Sequence, residues 1–360
     1  MVLRIVRKRE MKEVSEKWKL STISDCRGIL FGILTLMIVI FHTKVDFLPL
    51  CSHGIVGSLA YYALTGIKKI GDIGVDLFAL LSGMGLYFSF SKNKNLRSFY
   101  RKRAMRVLPA FFIVALIWCA IKEEIGAVEY IKYVLQVRFF KGESFEFWFI
   151  PYLLFCYLIF PLLYRGIEKH GWIGFVAEIA AAVMVHILLN LIFPAIAENI
   201  NIATSRVPVF IAGILFGKLI FEKKKISKKW FFIFGAFSLV LLAIEEYNIL
   251  WDGYELLKPF SMNRLLYCPL AVCIMVLLSA FISKVPLKGL YRFFSWVGLY
   301  SLEVYLLYEK VRDKMEGIFT VSGAFGLAYM VVCFVMTMVL AILLKYICDT
   351  VSKGIFAQEK

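Results

Sequence analysis

Long apolar blocks alternate with short charged stretches along the whole chain. A helix needs about 20 mainly apolar residues to cross a bilayer. Blocks near that length fall at 28–47, 73–90, 107–121, 147–164, 172–193, 204–221, 230–250, 264–283, 293–308 and 323–347. The pattern predicts an all-α integral membrane protein with about ten transmembrane helices. The third and ninth blocks are short, so one of them is expected to be broken or tilted.

Composition agrees with this reading. Apolar residues fill 61% of the 360 positions and the mean hydropathy is +0.76, whereas a globular chain is roughly half apolar. A single membrane-embedded domain over 1–360 is expected, with no soluble module. The formal charge of +16 could suggest nucleic acid. The basic residues instead form short runs between apolar blocks, as in loops retained on the cytoplasmic side next to anionic lipids. Alternate loops counted from the first residue hold 28 Lys and Arg, and the opposite set holds 11. The excess places both termini in the cytoplasm, with a basic segment at 1–27 and a tail at 345–360. The loop with Glu245, Glu246, Asp252 and Glu255 is then outside.

The eight cysteines are scattered, with no CxxC pair and no metal-ligand spacing, so small buried thiols are expected and no metal. The first 27 residues are charged and the first apolar block is too long for the core of a signal peptide, so that block is expected to remain as a span.

Ionisable groups inside spans are costly and therefore conspicuous. His42, in LMIVIFHTK, reads either as an interfacial histidine satisfied by a carbonyl or as a general base. Arg27 opens the same helix, fifteen residues earlier and on nearly the same face. It is either a positive-inside anchor or a cation at the inner end of a functional face. Asp76, in GDIGVDLFALLSG, stands in a helical first turn, where a carboxylate suits the dipole. It could also orient His42 or bind a hydroxyl. Glu303 and Glu178 are weaker cases, each expected to pair with a polar group on a neighbouring helix. Arg103 and Arg106, one turn apart in KNKNLRSFYRKRAMRVLP, are either orientation signals or a phosphate clamp. Arg206 begins the sixth span from the outside, where positive-inside retention does not explain it, and snorkelling is the plain alternative. Gly213 and Gly217, four apart, are expected to let helices pack closely.

These residues sit in segments that resemble the acyltransferase-3 family of bacterial membrane acyltransferases. The segments are RGILFGILTLMIVIFH, GVDLFALLSGMGLYFS, FYRKRAMRVLPAFF, FWFIPYLLFCYLIFPLLY, RVPVFIAGILFGKLI and VGLYSLEVYLLY, in that order. The resemblance implies transfer of an acyl group, usually acetyl, from cytoplasmic acyl-CoA to a hydroxyl on a carbohydrate or lipid-linked sugar. It implies a multi-pass protein of the bacterial plasma membrane, with no permanently bound cofactor. It assigns the functional first-span pair to Arg27 and His42, the Arg-x-x-Arg motif to Arg103 and Arg106, and the remaining family positions to Asp76 and Arg206. Fourteen residues separate Arg27 from His42, about one helical turn more than is usual in the family. Tyr308 stands where many members have a second histidine.

Read together, Arg27, Arg103 and Arg106 are expected on the donor, His42 and Asp76 in catalysis, and Arg206, Glu303 and Tyr308 on the acceptor or in the scaffold. Two other readings stay open. One is a transporter or flippase for a lipid-linked glycan, although no inverted repeat is visible. The other is handover of the acyl group to a separate extracytoplasmic enzyme.

Overall fold

The computed structural model describes residues 17–45, 55–124, 126–227, 229, 232–233, 235–237, 239–240, 243, 263–285, 288–316, 318 and 323–357. In chain order these contain β1 (Lys17–Lys19), α1 (Ser21–Asp25), α2 (Arg27–Phe41), α3 (Ile55–Ile70), α4 (Ile73–Lys92), α5 (Leu96–Ile121), α6 (Ala127–Val134), α7 (Val137–Phe140), α8 (Phe149–His170), α9 (Trp172–Ile192), α10 (Ala197–Thr204) and α11 (Val207–Phe221). β2 (Lys225–Ser227), α12 (Asn263–Lys284), α13 (Lys288–Gly298), α14 (Ser301–Met315) and α15 (Gly323–Ala357) follow.

Seven helical stretches among the described residues are long and apolar enough to cross a membrane. They match the second to sixth, the eighth and the tenth expected blocks. The first block forms α2, apolar but only 15 residues long. The seventh, 230–250, lies largely outside the described residues, as do Glu245, Glu246, Asp252, Glu255 and residues 1–16. The ninth block is the broken one, because its helix stops at Gly298 and restarts at Ser301. The third is not short, since the basic stretch expected as a loop is already helical from Leu96 and gives α5 26 residues. Likewise the expected tail continues as helix, so α15 runs for 35 residues. Apart from the β1–β2 ladder, which sets Trp18 opposite Ile226 in antiparallel register, no described residue lies in a strand.

The chain divides into two compact units, one of residues 1–27, 76–95 and 155–286, the other of 28–75, 96–154 and 287–360. In the first unit α11 is apolar on every side, and every residue from Val207 to Gly217 is buried, as such a helix requires. It approaches α4 at backbone distance. A Cβ on Gly213 would collide with the Leu80 carbonyl, and one on Gly83 with the Phe210 carbonyl. Small residues give this kind of contact where dispersion rather than water expulsion holds helices together. α9 instead turns Ile173, Val176, Met184 and Leu188 outward, an apolar face suited to lipid. Its Glu178 bends back over Gly166 of α8.

The second unit is centred on α14 and α15. Val304 and Tyr308 pack with Tyr329, Cys333, Met338 and Ala341, and Val39 of α2 joins them. Near the start of α2, Gly32 lies directly on the Phe294 carbonyl of α13, where no side chain fits. Pro109 interrupts the hydrogen-bond ladder of α5, which membrane helices tolerate when neighbours satisfy the freed carbonyl.

Candidate active site

The polar centre of the second unit forms where α2 ends. Its last helical residue is Phe41, and the His42 amide still bonds the Ile38 carbonyl at 3.0 Å. The imidazole therefore leaves the final turn, edge-on to the Phe41 ring with centroids 4.9 Å apart. Its Nδ1 lies 3.0 Å from Oε1 of Glu309 on α14. One turn on, Arg312 Nη1 donates to the His42 carbonyl oxygen at 2.6 Å and sits 3.8 Å from Glu309 Oε1. Asp313 accepts from the Arg312 Nη2 at 2.7 Å, and the Tyr329 hydroxyl of α15 donates to the Arg312 carbonyl at 2.9 Å. Lys44 extends the network to Asp313 at 3.4 Å and Glu316 at 2.5 Å. His42 thus has its backbone and its ring fixed by the same helix.

This arrangement has a defined chemistry. A carboxylate at Nδ1 favours the tautomer with its proton on that nitrogen and leaves the Nε2 lone pair free to accept one. It also stabilises the imidazolium that forms. The side chains of His42 and Glu309 are 29% and 36% exposed, so neither is sealed in the core. Tyr308, the neighbour of Glu309, turns the other way and is buried in the core.

The other expected site residues fall into pairs. Arg106 donates to Glu303 through both terminal nitrogens, at 2.5 and 3.4 Å, joining α5 to α14. Glu303 is fully buried, whereas Arg106 is 38% exposed. The partner expected for Glu303 on a neighbouring helix is therefore Arg106. Arg103 lies over the Phe99 ring at 5.8 Å, one turn back along α5.

In the first unit Asp76 and Arg206 face each other, Oδ2 to Nε 3.8 Å, at 0% and 1% exposure. Arg206 Nη1 also donates to the Ile202 carbonyl at 2.5 Å. The carboxylate on His42 is accordingly Glu309, and Asp76 is engaged with Arg206. Arg27, the first residue of α2, lays its guanidinium against Gly85 of α4, in the space that a side chain there would take.

Residues 32–346 match the acyltransferase domain profile of the acyltransferase-3 family. This chain belongs to that family. The matched range covers nearly the whole sequence and contains His42, Asp76, Arg103, Arg106, Arg206, Glu303, Tyr308 and Glu309, while Arg27 precedes it. No curated protein and no solved structure matches the chain. Family membership supports an acyltransferase activity in a protein with several membrane-spanning helices.

Sequence reasoning identified His42 but passed over Glu309 and Arg312. Both lie in EKVRDKMEG, a run of mixed charge that reads as a solvated loop. The available signal was helical spacing. Glu309 and Arg312 are three apart and share a face, and the periodicity of SLEVYLLY continues through them.

Proposed function

We propose that this protein is an O-acyltransferase of the cell membrane. It moves an acyl group, expected to be acetyl, from cytoplasmic acyl-CoA to a hydroxyl of a cell-surface or lipid-linked carbohydrate. In this reading the chain crosses the membrane about ten times with both termini inside. The observation that carries the proposal is the His42–Glu309 dyad, with Arg312 clamped on the backbone of the same histidine.

The reaction then follows from that geometry. His42 Nε2 takes the proton of the acceptor hydroxyl as its oxygen attacks the thioester carbonyl. The carbon–sulfur bond breaks, and the imidazolium returns the proton to the departing thiolate, leaving ester and free thiol. Glu309 holds the ring and stabilises its charged form between these two steps. Asp76 and Arg206, both buried, serve in this reading as a clasp between α4 and the start of α11. Arg106 is assigned to the buried charge of Glu303, with its exposed edge still available to the donor. Arg103 and Arg27 keep a proposed role at the donor side.

The test is His42→Ala in purified protein reconstituted in nanodiscs, supplied with radiolabelled acetyl-CoA and the surface glycan fraction. Transfer is expected to fall by about 10²- to 10⁴-fold, the usual contribution of a positioned acid–base group. The protein should still insert and elute as a single species. An active variant overturns the assignment, and a wild-type chain that never consumes the donor supports transport instead.

A further inference from the structure

The first unit carries a cleft of about 520 Å³ that the catalytic reading leaves unused, lined by Phe90, Lys94, Tyr164, Arg165, Glu168 and Lys169. Its size lies within the range of roughly 300–1,000 Å³ typical of small-molecule sites. Three cations converge on it, all exposed. Among the described residues no carboxylate pairs with Lys94, Arg165 or Lys169. Lys94 instead rests over the Tyr164 ring, 5.9 Å from its centroid.

The single acid in the lining is already committed. Glu168 accepts a hydrogen bond from the Tyr87 hydroxyl at 2.5 Å and lies 3.7 Å from the Lys218 ammonium. Lys218 also donates to the carbonyls of Ile167 and Glu168 at 3.0 Å each, which pins the end of α8. Tyr164 meets Ser91 at 3.2 Å and packs edge-on to Phe90, ring centroids 5.0 Å apart. The floor of the cleft is thus rigid and apolar, and its rim has an uncompensated positive charge. On α5, by contrast, Arg106 is committed to the Glu303 carboxylate.

We propose that this cleft is a phosphate-binding site, with Lys94, Arg165 and Lys169 gripping phosphate oxygens above the Phe90–Tyr164 floor. Lysine and arginine bind phosphate through charge-assisted hydrogen bonds, and an aromatic floor suits a ligand with a flat or apolar portion next to its phosphates. The ligand is the bisphosphorylated nucleotide end of the acyl-CoA donor. That identity rests on the proposed donor, whereas the phosphate chemistry rests on the cleft alone. An anionic lipid headgroup would bring the same group to the same cations.

The experiment is calorimetric titration of the full chain, in nanodiscs of phosphatidylcholine, with adenosine 3′,5′-bisphosphate. Wild type should bind, and a Lys94→Gln/Arg165→Gln variant should bind at least about tenfold more weakly, as expected for loss of two charge-assisted contacts. Both side chains are exposed, and size-exclusion elution verifies that the variant is folded. Equal affinity in the two proteins overturns the proposal. A parallel arm measures retention of phosphatidylglycerol by native mass spectrometry. If wild type ignores the nucleotide but keeps the lipid, and the variant loses it, the phosphate site stands and its ligand is the headgroup. If the variant changes neither ligand, no phosphate site exists. The titration needs no turnover, so a failure of acyl transfer with intact nucleotide binding is recognisable as a failure of the catalytic proposal alone.

Discussion

Replacement of Glu309 by glutamine keeps the shape of the side chain and removes its charge from the imidazole. In wild type the two groups are 3.0 Å apart. A unit charge at that distance stabilises the imidazolium by about 1.4 kcal/mol with the screening of bulk water, and by about 5.5 kcal/mol at an effective dielectric of 20. Roughly a third of each side chain is exposed, so the lower part of that interval applies, about 1.4–3 kcal/mol. The proton-transfer step should therefore slow by roughly 10- to 150-fold. The amide can still contact Nδ1, so ring orientation is partly kept and the loss should stay below that of His42→Ala. The assay is single-turnover transfer from labelled acetyl-CoA in membrane vesicles, normalised to protein level by immunoblot. A double-mutant cycle with His42→Gln completes it, since the Glu309 effect should vanish once the imidazole is gone. An activity within twofold of wild type refutes the dyad, and so does a tenfold Glu309 effect that persists without His42.

Three further outcomes are expected. Arg106→Ala strands the fully buried Glu303 carboxylate and should destabilise the protein by about 3–5 kcal/mol, the cost of an orphaned buried charge; Glu303→Gln leaves only a partly exposed guanidinium and should cost much less, so thermal melts of the purified variants must rank in that order. Gly213→Ala pushes a methyl group into the Leu80 carbonyl, and because backbone cannot yield cheaply, the melting temperature should fall more than for alanine at the open Gly66. Hydrogen bonds from Arg138 hold the Glu124 carboxyl below its ordinary value, outside the spans. A depressed carboxyl stabilises the folded form above its unfolded pKa and loses that contribution as pH falls through its folded one. Protection of the amides across Ala127–Phe140, taken relative to their intrinsic exchange rates at each pH, should thus fall as the medium is acidified below about pH 4, and Glu124→Gln should remove most of that fall.

Much of the architecture could be read from apolar block length, because the bilayer imposes one dimension on every span. The close approach at Gly213 was readable for a related reason, as small residues four apart in an apolar helix have few other uses. The pairing of charges was not readable. Asp76 and Arg206 each stood out as costly in a membrane, yet nothing local indicates that they meet. Glu303 and Arg106 are 197 residues apart and pair only because α5 and α14 pack together. Glu309 was hidden by composition, since a run with this many charges resembles solvated loop. The helical continuation of α5 into its basic end was masked in the same way. In both places tertiary contacts stabilise a helix that block length alone had trimmed.

The 35 residues of α15 extend for about 52 Å at 1.5 Å per residue, against a hydrocarbon thickness near 30 Å. About 20 Å of unbroken helix is therefore left over for tilt or for projection past the lipid. A continuous helix transmits orientation as well as distance. A helical fusion grafted in register at Ala357 would inherit the attitude of α15 instead of swinging on a tether. For a 41.4 kDa membrane protein, that gives single-particle imaging a rigid external fiducial, fixed to the same helix whose Tyr329 braces Arg312 behind His42.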